Sequence, residues 1–296
     1  MGDIVNYAVN VPNFGDYGSP SQLAALASDA ENAGWDGFFI WDHISGPTEW
    51  RVPVDDTMVP IAHAPYADPC VALTAIATHT EHIRLGALVT PLARRRPWKL
   101  ARETVSLDHL SNGRLVVGVG LGGTPTEFAG FGEDADPLAR SRKLDESLEI
   151  LTGLWTGKPF SYKGTYYVVE DTVFLPRPVQ SPRIPIWVAC FWPNKKPLRR
   201  AARYDGVVPG VADWTKPLTP DDVESIVSYV LKHRTESGPF DVVVGGRTPS
   251  DADQATSVVQ PYIDSGATWW SEELSGWRGS LEDMRARICA GPPRSE

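Results

Sequence analysis

The sequence predicts an α/β fold, a (β/α)8 TIM barrel with insertion loops. Eight short apolar runs punctuate the chain, each followed by a segment with helical periodicity, and 296 residues is an ordinary length for one closed barrel. The runs do not alternate apolar with polar residues, so both their faces are buried, which calls for a parallel sheet. The whole chain, 1–296, reads as one barrel domain with insertions at about 44–66 and 158–183.

The elements follow in order. Tyr7 to Val9 begins the first strand, and Leu23, Leu26, Ala27 and Ala30 mark the first helix behind a cap at Ser19 to Ser21. "GWDGFFIW" is the second strand. "ADPCVALTAIATHT" is a helix with an acidic start, and "IRLGALV" is the third strand. "PWKLARETVSLDHL" opens with a first-turn proline and stops at "SNGR". "RLVVGVG" is the fourth strand, and "ARSRKLDESLEILTGLW" a long amphipathic helix. "IPIWVA", "DGVVP", "FDVVVGG" and "ATWWSEEL" supply strands five to eight, with "PLRRAARY", "TPDDVESIVSYVLKHR", "SDADQATSVVQPYIDSG" and "SLEDMRARICA" as the helices that follow them. The two insertions exceed ordinary loop length, a property of lids and functional loops. "FSYKGTYYVVE" within the second has the makings of a small hairpin.

Composition narrows the function. With 42% hydrophobic and 22% charged residues the chain is globular, and a net charge of −9 argues against nucleic acid as a partner. The one dense basic run, Arg94 to Arg96, reads as a solvated face. Three widely spaced cysteines give neither a disulfide framework nor a paired metal motif, which suits a reducing cytoplasm. The sequence shows no secretory leader and no membrane span, so a soluble, cytoplasmic protein is expected.

In a barrel, function gathers where strands end at the C-terminal face. Those ends carry Asp42 and His43, Thr90, Gly120 to Gly123, Cys190 to Pro193, and Glu272 with Glu273. No cluster of histidines and an acid appears among them, so no metal site is expected. "GVGLGG" satisfies the letter of a dinucleotide motif, but breakers follow it where a helix should start. Its glycines instead allow a flat ligand close to the backbone. Glycine, aromatic rings and one histidine suit a planar cofactor whose own ring performs the difficult chemistry.

"DGFFIWDHI", the span from "ADPCVALTAIATHT" to "LSNGRLVVGVGLGG", "LDESLEILTGLWTGKPFSYKGTYYVVED" and "LPRPVQSPRIPIWVACFWPNKKPLRRAARYDGVVP" resemble, in order and spacing, the bacterial luciferase-like family of flavin- and deazaflavin-dependent oxidoreductases. The resemblance covers most of residues 20 to 210. It implies the same barrel and a reduced flavin, FMN, or its deaza analogue, coenzyme F420, lying across the mouth. By the same resemblance Ala87, Leu88, Val89 and Thr90 would underlie the ring on a bulge with a non-proline cis peptide, beside Gly120, Gly122 and Gly123. Cys190, Phe191, Trp192, Asn194 and Lys195 would hold the cofactor phosphate. Two departures stand out: "AC" followed by bulky "FW" after the fifth strand, and Gly123 where sugar-phosphate dehydrogenases of the family carry a catalytic glutamate.

Adjacent strand residues face opposite ways, so Asp42 and His43 are not a mutual dyad; one lines the mouth and the other holds the loop. The resemblance sets His43 beside the reacting carbon, and an imidazole can give or take a proton near neutral pH. Trp50, Trp192 and Trp270, with Trp41, Trp214 and Trp269, are either core or the wall of an apolar substrate pocket. Glu272 or Glu273 could position a substrate. The reading is an oxidoreductase acting on a small organic molecule, with F420 preferred over FMN because "WDH" resembles the deazaflavin members. The alternatives are an FMN-dependent monooxygenase served by a separate flavin reductase, and a non-catalytic flavin-binding barrel. The resemblance also implies a homodimer.

Overall fold

The computed structural model describes residues 5–213 and 216–294, which leaves Trp214, one of the candidate pocket tryptophans, outside the described residues. Its strands, in chain order, are β1 (Asn6–Val11), β2 (Gly37–Ile40), β3 (Arg51–Val54), β4 (Thr57–Pro60), β5 (Arg84–Pro91), β6 (Leu115–Gly120), β7 (Phe160–Lys163), β8 (Val168–Thr172), β9 (Ile186–Trp192), β10 (Gly206–Val211), β11 (Asp241–Gly246) and β12 (Trp269–Glu273). Eight of them close in the order β1-β12-β11-β10-β9-β6-β5-β2, all parallel, while β3–β4 and β7–β8 stand apart as two-stranded hairpins. The barrel expected from the element count is present.

Helices α1 (Pro20–Asn32), α2 (Pro69–His79), α3 (Pro97–Leu110), α4 (Thr126–Ala129), α5 (Pro137–Trp155), α6 (Lys195–Ala201), α7 (Pro220–His233), α8 (Ala252–Asp264) and α9 (Leu281–Cys289) link and surround the barrel strands. The sequence starts them locally. Ser19, Asp68, Asp136, Thr219, Asp251 and Ser280 each accept a first-turn amide, and prolines open α1, α2, α3, α5 and α7, where no amide proton is needed. No helix among the described residues is long and apolar enough to cross a membrane.

The core divides into two. Between barrel and helices lies a continuous layer that includes Val9, Phe38, Ile40, Leu85, Leu148, Ile186 and Val244, all fully or almost fully buried. Inside the barrel, Phe39, Trp187 and Trp269 meet at ring-centroid distances of 5.3 to 6.2 Å and, with Ala8, Val116 and Val243, fill the middle of the cylinder. Strand alternation carries that inner face upward to Asn10, Gly118, Gly120, Ala189, Phe191, Val208, Gly210, Gly245, Ser271 and Glu273. The aromatic plug therefore closes the lower barrel, and mainly small side chains leave the C-terminal mouth open.

One irregularity shapes that mouth. The β5–β6 register shifts between Ala87 and Thr90, and Leu88-Val89 is a cis peptide bond not involving proline. The bulge presses on β6, where a Cβ on Gly118 would sit 2.3 Å from the Ala87 carbonyl oxygen and one on Gly120 2.6 Å from a Val89 methyl. A Cβ on Gly123 would meet nothing within 4 Å. Overpacking of this kind costs about 1–3 kcal/mol. Gly118→Ala is expected to lower the unfolding free energy measured in urea by an amount in that range, while Gly123→Ala, on the same chain segment, leaves it within about 0.5 kcal/mol of wild type. Equal values for the two variants would contradict this packing.

Candidate active site

β2 delivers its carboxyl end to the mouth, and the two residues beyond it part company. Asp42 turns into the protein, where its carboxylate binds Arg94 Nη2 at 2.6 Å and Arg95 Nη2 at 2.8 Å, and Arg94 also donates to the Asp42 carbonyl. His43 turns toward the loop after β6. Its Nδ1 lies 3.1 Å from Oε2 of Glu127, in the single turn of α4, and the imidazole is partly exposed while the glutamate is buried. The other oxygen of Glu127, Oε1, accepts the Ile44 amide at 2.8 Å and lies 3.2 Å from Arg94 Nη1. Arg95, Asp42, Arg94, Glu127 and His43 thus form one unbroken chain of charge.

The backbone of His43 is clamped as firmly. Asn13, fully buried after β1, donates to the His43 carbonyl at 2.8 Å and accepts its amide at 3.1 Å, and it also donates to Ala67. Phe14 and Trp41 pack edge-on against the imidazole at 5.8 and 5.9 Å, and Trp277 stacks on Trp41. The histidine has an apolar wall on one side and a carboxylate behind it.

Burial pushes the Glu127 carboxyl up, but the hydrogen bond from His43, the charges of His43 and Arg94, and the Ile44 amide outweigh it and hold the group below the ordinary carboxylate range. Glu127 is therefore ionised at neutral pH and can only accept. A neutral His43 must then carry its proton on Nδ1, which leaves Nε2, unpartnered by protein among the described residues, as the basic nitrogen.

Other sequence candidates are placed differently. The arginine run is a solvated face only at Arg96: the Arg94 side chain is buried and that of Arg95 mostly so, because Asp42 and Glu127 neutralise them. Trp270 and Glu272 do not reach the mouth. Alternation turns both outward, to 2% and 0% exposure; Glu272 holds Arg278, Thr248 and the Trp270 indole in a buried network, so neither lines a substrate pocket here. Cys190 likewise faces the outer core, where burial pushes its thiol up to about 12. Trp192 lies under the Lys195 ammonium, 3.5 Å from the ring centroid, beside an open groove of about 430 Å³ along α7 and away from the mouth. Asn194 caps α6, and Trp50 stands exposed before β3. Phe191, 58% exposed at the end of β9, stays at the rim. Leu88 packs on the inner aromatic cluster, Ala87 and Thr90 border a cavity of about 40 Å³ behind Asp42, and Val89 fills the space beside Gly120. Gly122 has positive φ and abuts Phe128. No group of three or more metal-ligating side chains forms among the described residues. Sequence reasoning missed Glu127, Asn13 and Trp277; the only local sign of Glu127 was an acid inside the breaker-rich "TPTEFAGFG".

The fold is a closed barrel with a histidine held by a buried carboxylate at the rim of its mouth. The chain belongs to the luciferase-like monooxygenase family, which it matches over residues 6–288, and it is a flavin- or F420-dependent oxidoreductase. A relative, the F420-dependent glucose-6-phosphate dehydrogenase of Beutenbergia cavernae, is 32% identical over 269 residues, 90% of this chain and 75% of that protein. Among solved structures, the coenzyme F420-dependent tetrahydromethanopterin reductase of Methanopyrus kandleri superposes with a TM-score of 0.73 at 18% identity, over 97% of each chain. The FMN-bound oxygenating constituent of 3,6-diketocamphane monooxygenase from Pseudomonas putida gives 0.75 at 14% identity, also over 97% of each.

Removing one partner of a buried charge pair costs about 3–5 kcal/mol, because the other charge is stranded. Asp42→Ala is expected to destabilise the fold by that order in urea unfolding, whereas His43→Ala, which strands no buried cation, costs about 1 kcal/mol. Similar losses in both variants would contradict the division of roles. With its folded pKa depressed, Glu127 contributes stability in full above its unfolded value, about 4.3, and loses it as pH falls through the lower folded value. Glu127→Gln should therefore weaken the protein at pH 7 and flatten its acid unfolding profile; an unchanged profile would count against the ion pairs.

Proposed function

We propose that the protein is an F420-dependent oxidoreductase that moves a hydride between the deazaflavin and a small organic substrate, with His43 as the acid–base residue. The observation that carries this reading is the 3.1 Å contact between His43 Nδ1 and the buried Glu127 at the rim of the mouth. The match to a dehydrogenase named for F420 over 90% of the chain supports the choice of cofactor.

The residues present suit a flat ring. Phe39, Trp187 and Trp269 close the barrel below, Ala189 and Gly210 carry little or no side chain above them, and the space around Gly123, just past the end of β6, is open. When bound, the deazaflavin supplies the carbon that accepts or gives the hydride. The chain supplies the rest. An alcohol that loses hydride from carbon must also lose its hydroxyl proton, and Nε2 of His43 is the nitrogen free to take it. Glu127 stabilises the imidazolium that results, as an oriented carboxylate behind a histidine does. Asn13 fixes the backbone so that the ring cannot swing away, and Phe14, Trp41 and Trp277 keep bulk water from that side of the imidazole. Asp42 acts at one remove, by holding Arg94 against Glu127.

Fluorescence titration of the purified protein with F420 and with FMN tests the cofactor directly. Micromolar binding of F420 is expected; binding of FMN alone, with oxygen consumed once a reductase supplies the reduced form, would replace this reading by the monooxygenase. General acid–base groups contribute about 10²–10⁴-fold, so His43→Ala should lower kcat by that factor and leave the F420 dissociation constant within twofold. Unchanged turnover would remove His43 from the chemistry, and tight cofactor binding with no turnover on any substrate would leave only a cofactor-binding barrel.

A further inference from the structure

The wall of the mouth formed by β1 and β12 carries polar groups that the reading above leaves unused. Along β12, Trp269 belongs to the inner plug, so Ser271 and Glu273 follow it on the inner face. Along β1, Ala8 belongs to the plug, so Asn10 follows it, and Asn10 is the register partner of Glu273. On the other flank β11 pairs Gly245 with Ser271, and a Cβ on Gly245 would lie 2.9 Å from Glu273 Oε1, so the carboxylate leans over a position kept free of side chain.

Two of these groups lack partners. Ser271 is 2% exposed, yet its hydroxyl makes no hydrogen bond, and the buried Oδ1 of Asn10 accepts none. Buried polar atoms are almost always satisfied, and an orphaned hydroxyl and amide oxygen diagonal to each other across the β1–β12 pair mark a place where a ligand completes the set. The carboxylate of Glu273 has one ion-pair partner, Arg247, and that at 3.9 Å. Desolvation in the mouth raises the Glu273 carboxyl, Arg247 and Arg278 pull it down, and Glu272 adds to the rise. Asn10 Oδ1 and the Glu273 oxygens are acceptors, and Ser271 serves either way, so the complementary ligand edge is rich in donors. A negative charge at the same wall disfavours an anionic group.

We propose that Asn10, Ser271 and Glu273 form a hydroxyl-recognising subsite on this wall, which selects a neutral substrate carrying two adjacent hydroxyl groups. The subsite follows from the geometry of the β1–β12 wall; that its occupant is the substrate rests on the oxidoreductase reading above. A site built to pair hydroxyls discriminates strongly against analogues that lack them, because its own polar groups are then left unpaired.

Saturation-transfer NMR on the full chain, with and without F420, measures binding of cis-cyclohexane-1,2-diol against cyclohexanone. The diol should bind at least tenfold more tightly. Ser271→Ala, Asn10→Ala and Glu273→Gln should each raise its dissociation constant about tenfold, a loss of about 1.4 kcal/mol, with cyclohexanone and F420 binding unchanged. Wild-type affinity for the diol should fall as pH drops through the titration of Glu273; Glu273→Gln should abolish that dependence and Glu273→Asp restore part of it. Equal affinity for diol and ketone, or an unmoved diol constant in the three variants, would overturn the subsite. If F420 fails to bind while the diol pattern holds, the F420 reading falls and the subsite stands; F420 binding without diol selectivity means the reverse.

Discussion

The ion pairs that run from Arg95 through Asp42 and Arg94 to Glu127 are the constraint on which the site depends. Four charged groups, most of them buried, are tolerable at the end of a barrel strand only because each is neutralised by the next. The chain joins three separate parts of the sequence: the end of β2, the turn after β5 and the short α4 after β6. It fixes those loops relative to one another, and its last member meets the imidazole of His43. The histidine is thus oriented by a network anchored in the wall behind it and does not depend on its own exposed loop for position.

The barrel explains why the network is built there. Parallel strands deliver all their carboxyl ends to one face, so loops distant in sequence converge. The aromatic plug of Phe39, Trp187 and Trp269 supplies rigidity below, and the bulge in β5 narrows the mouth on one side. On the adjoining wall, beyond β2, β1 and β12 carry Asn10 and Ser271, whose side-chain oxygens have no protein partner. The β2 end of the mouth is thus committed to orienting His43, and the β1–β12 wall beside it keeps polar side chains that the network does not use.

Much of this architecture was legible in the sequence. All eight barrel strands announced themselves as short apolar runs, and the β7–β8 hairpin was visible in "FSYKGTYYVVE", because each signal is local. The β3–β4 hairpin was not. Its strands carry Pro53 and Pro60, which argue against pairing, and it turns on Asp55 and Asp56 at positive φ, a conformation that aspartate tolerates but does not advertise. The charged parts of the site misled for a different reason. Arg94 and Arg95 look like a solvated run until their partners, Asp42 some fifty positions earlier and Glu127 about thirty later, are folded against them. Glu127 itself sits on a four-residue helix between glycines and prolines, too short to leave a periodic trace. Glu272 and Trp270 show how a strand end deceives: the position was right, but alternation turned both side chains outward and left the mouth to Ser271 and Glu273.

The central claim is that a buried, ionised Glu127 dictates which nitrogen of His43 carries the proton. Long-range ¹H–¹⁵N correlation NMR of histidine-labelled protein reads that tautomer directly. The account predicts that neutral His43 is protonated on Nδ1 and bare on Nε2, with Glu127→Gln shifting the ring toward a mixture of tautomers. An Nε2-protonated ring in the wild type, or a spectrum that Glu127→Gln leaves untouched, would contradict it.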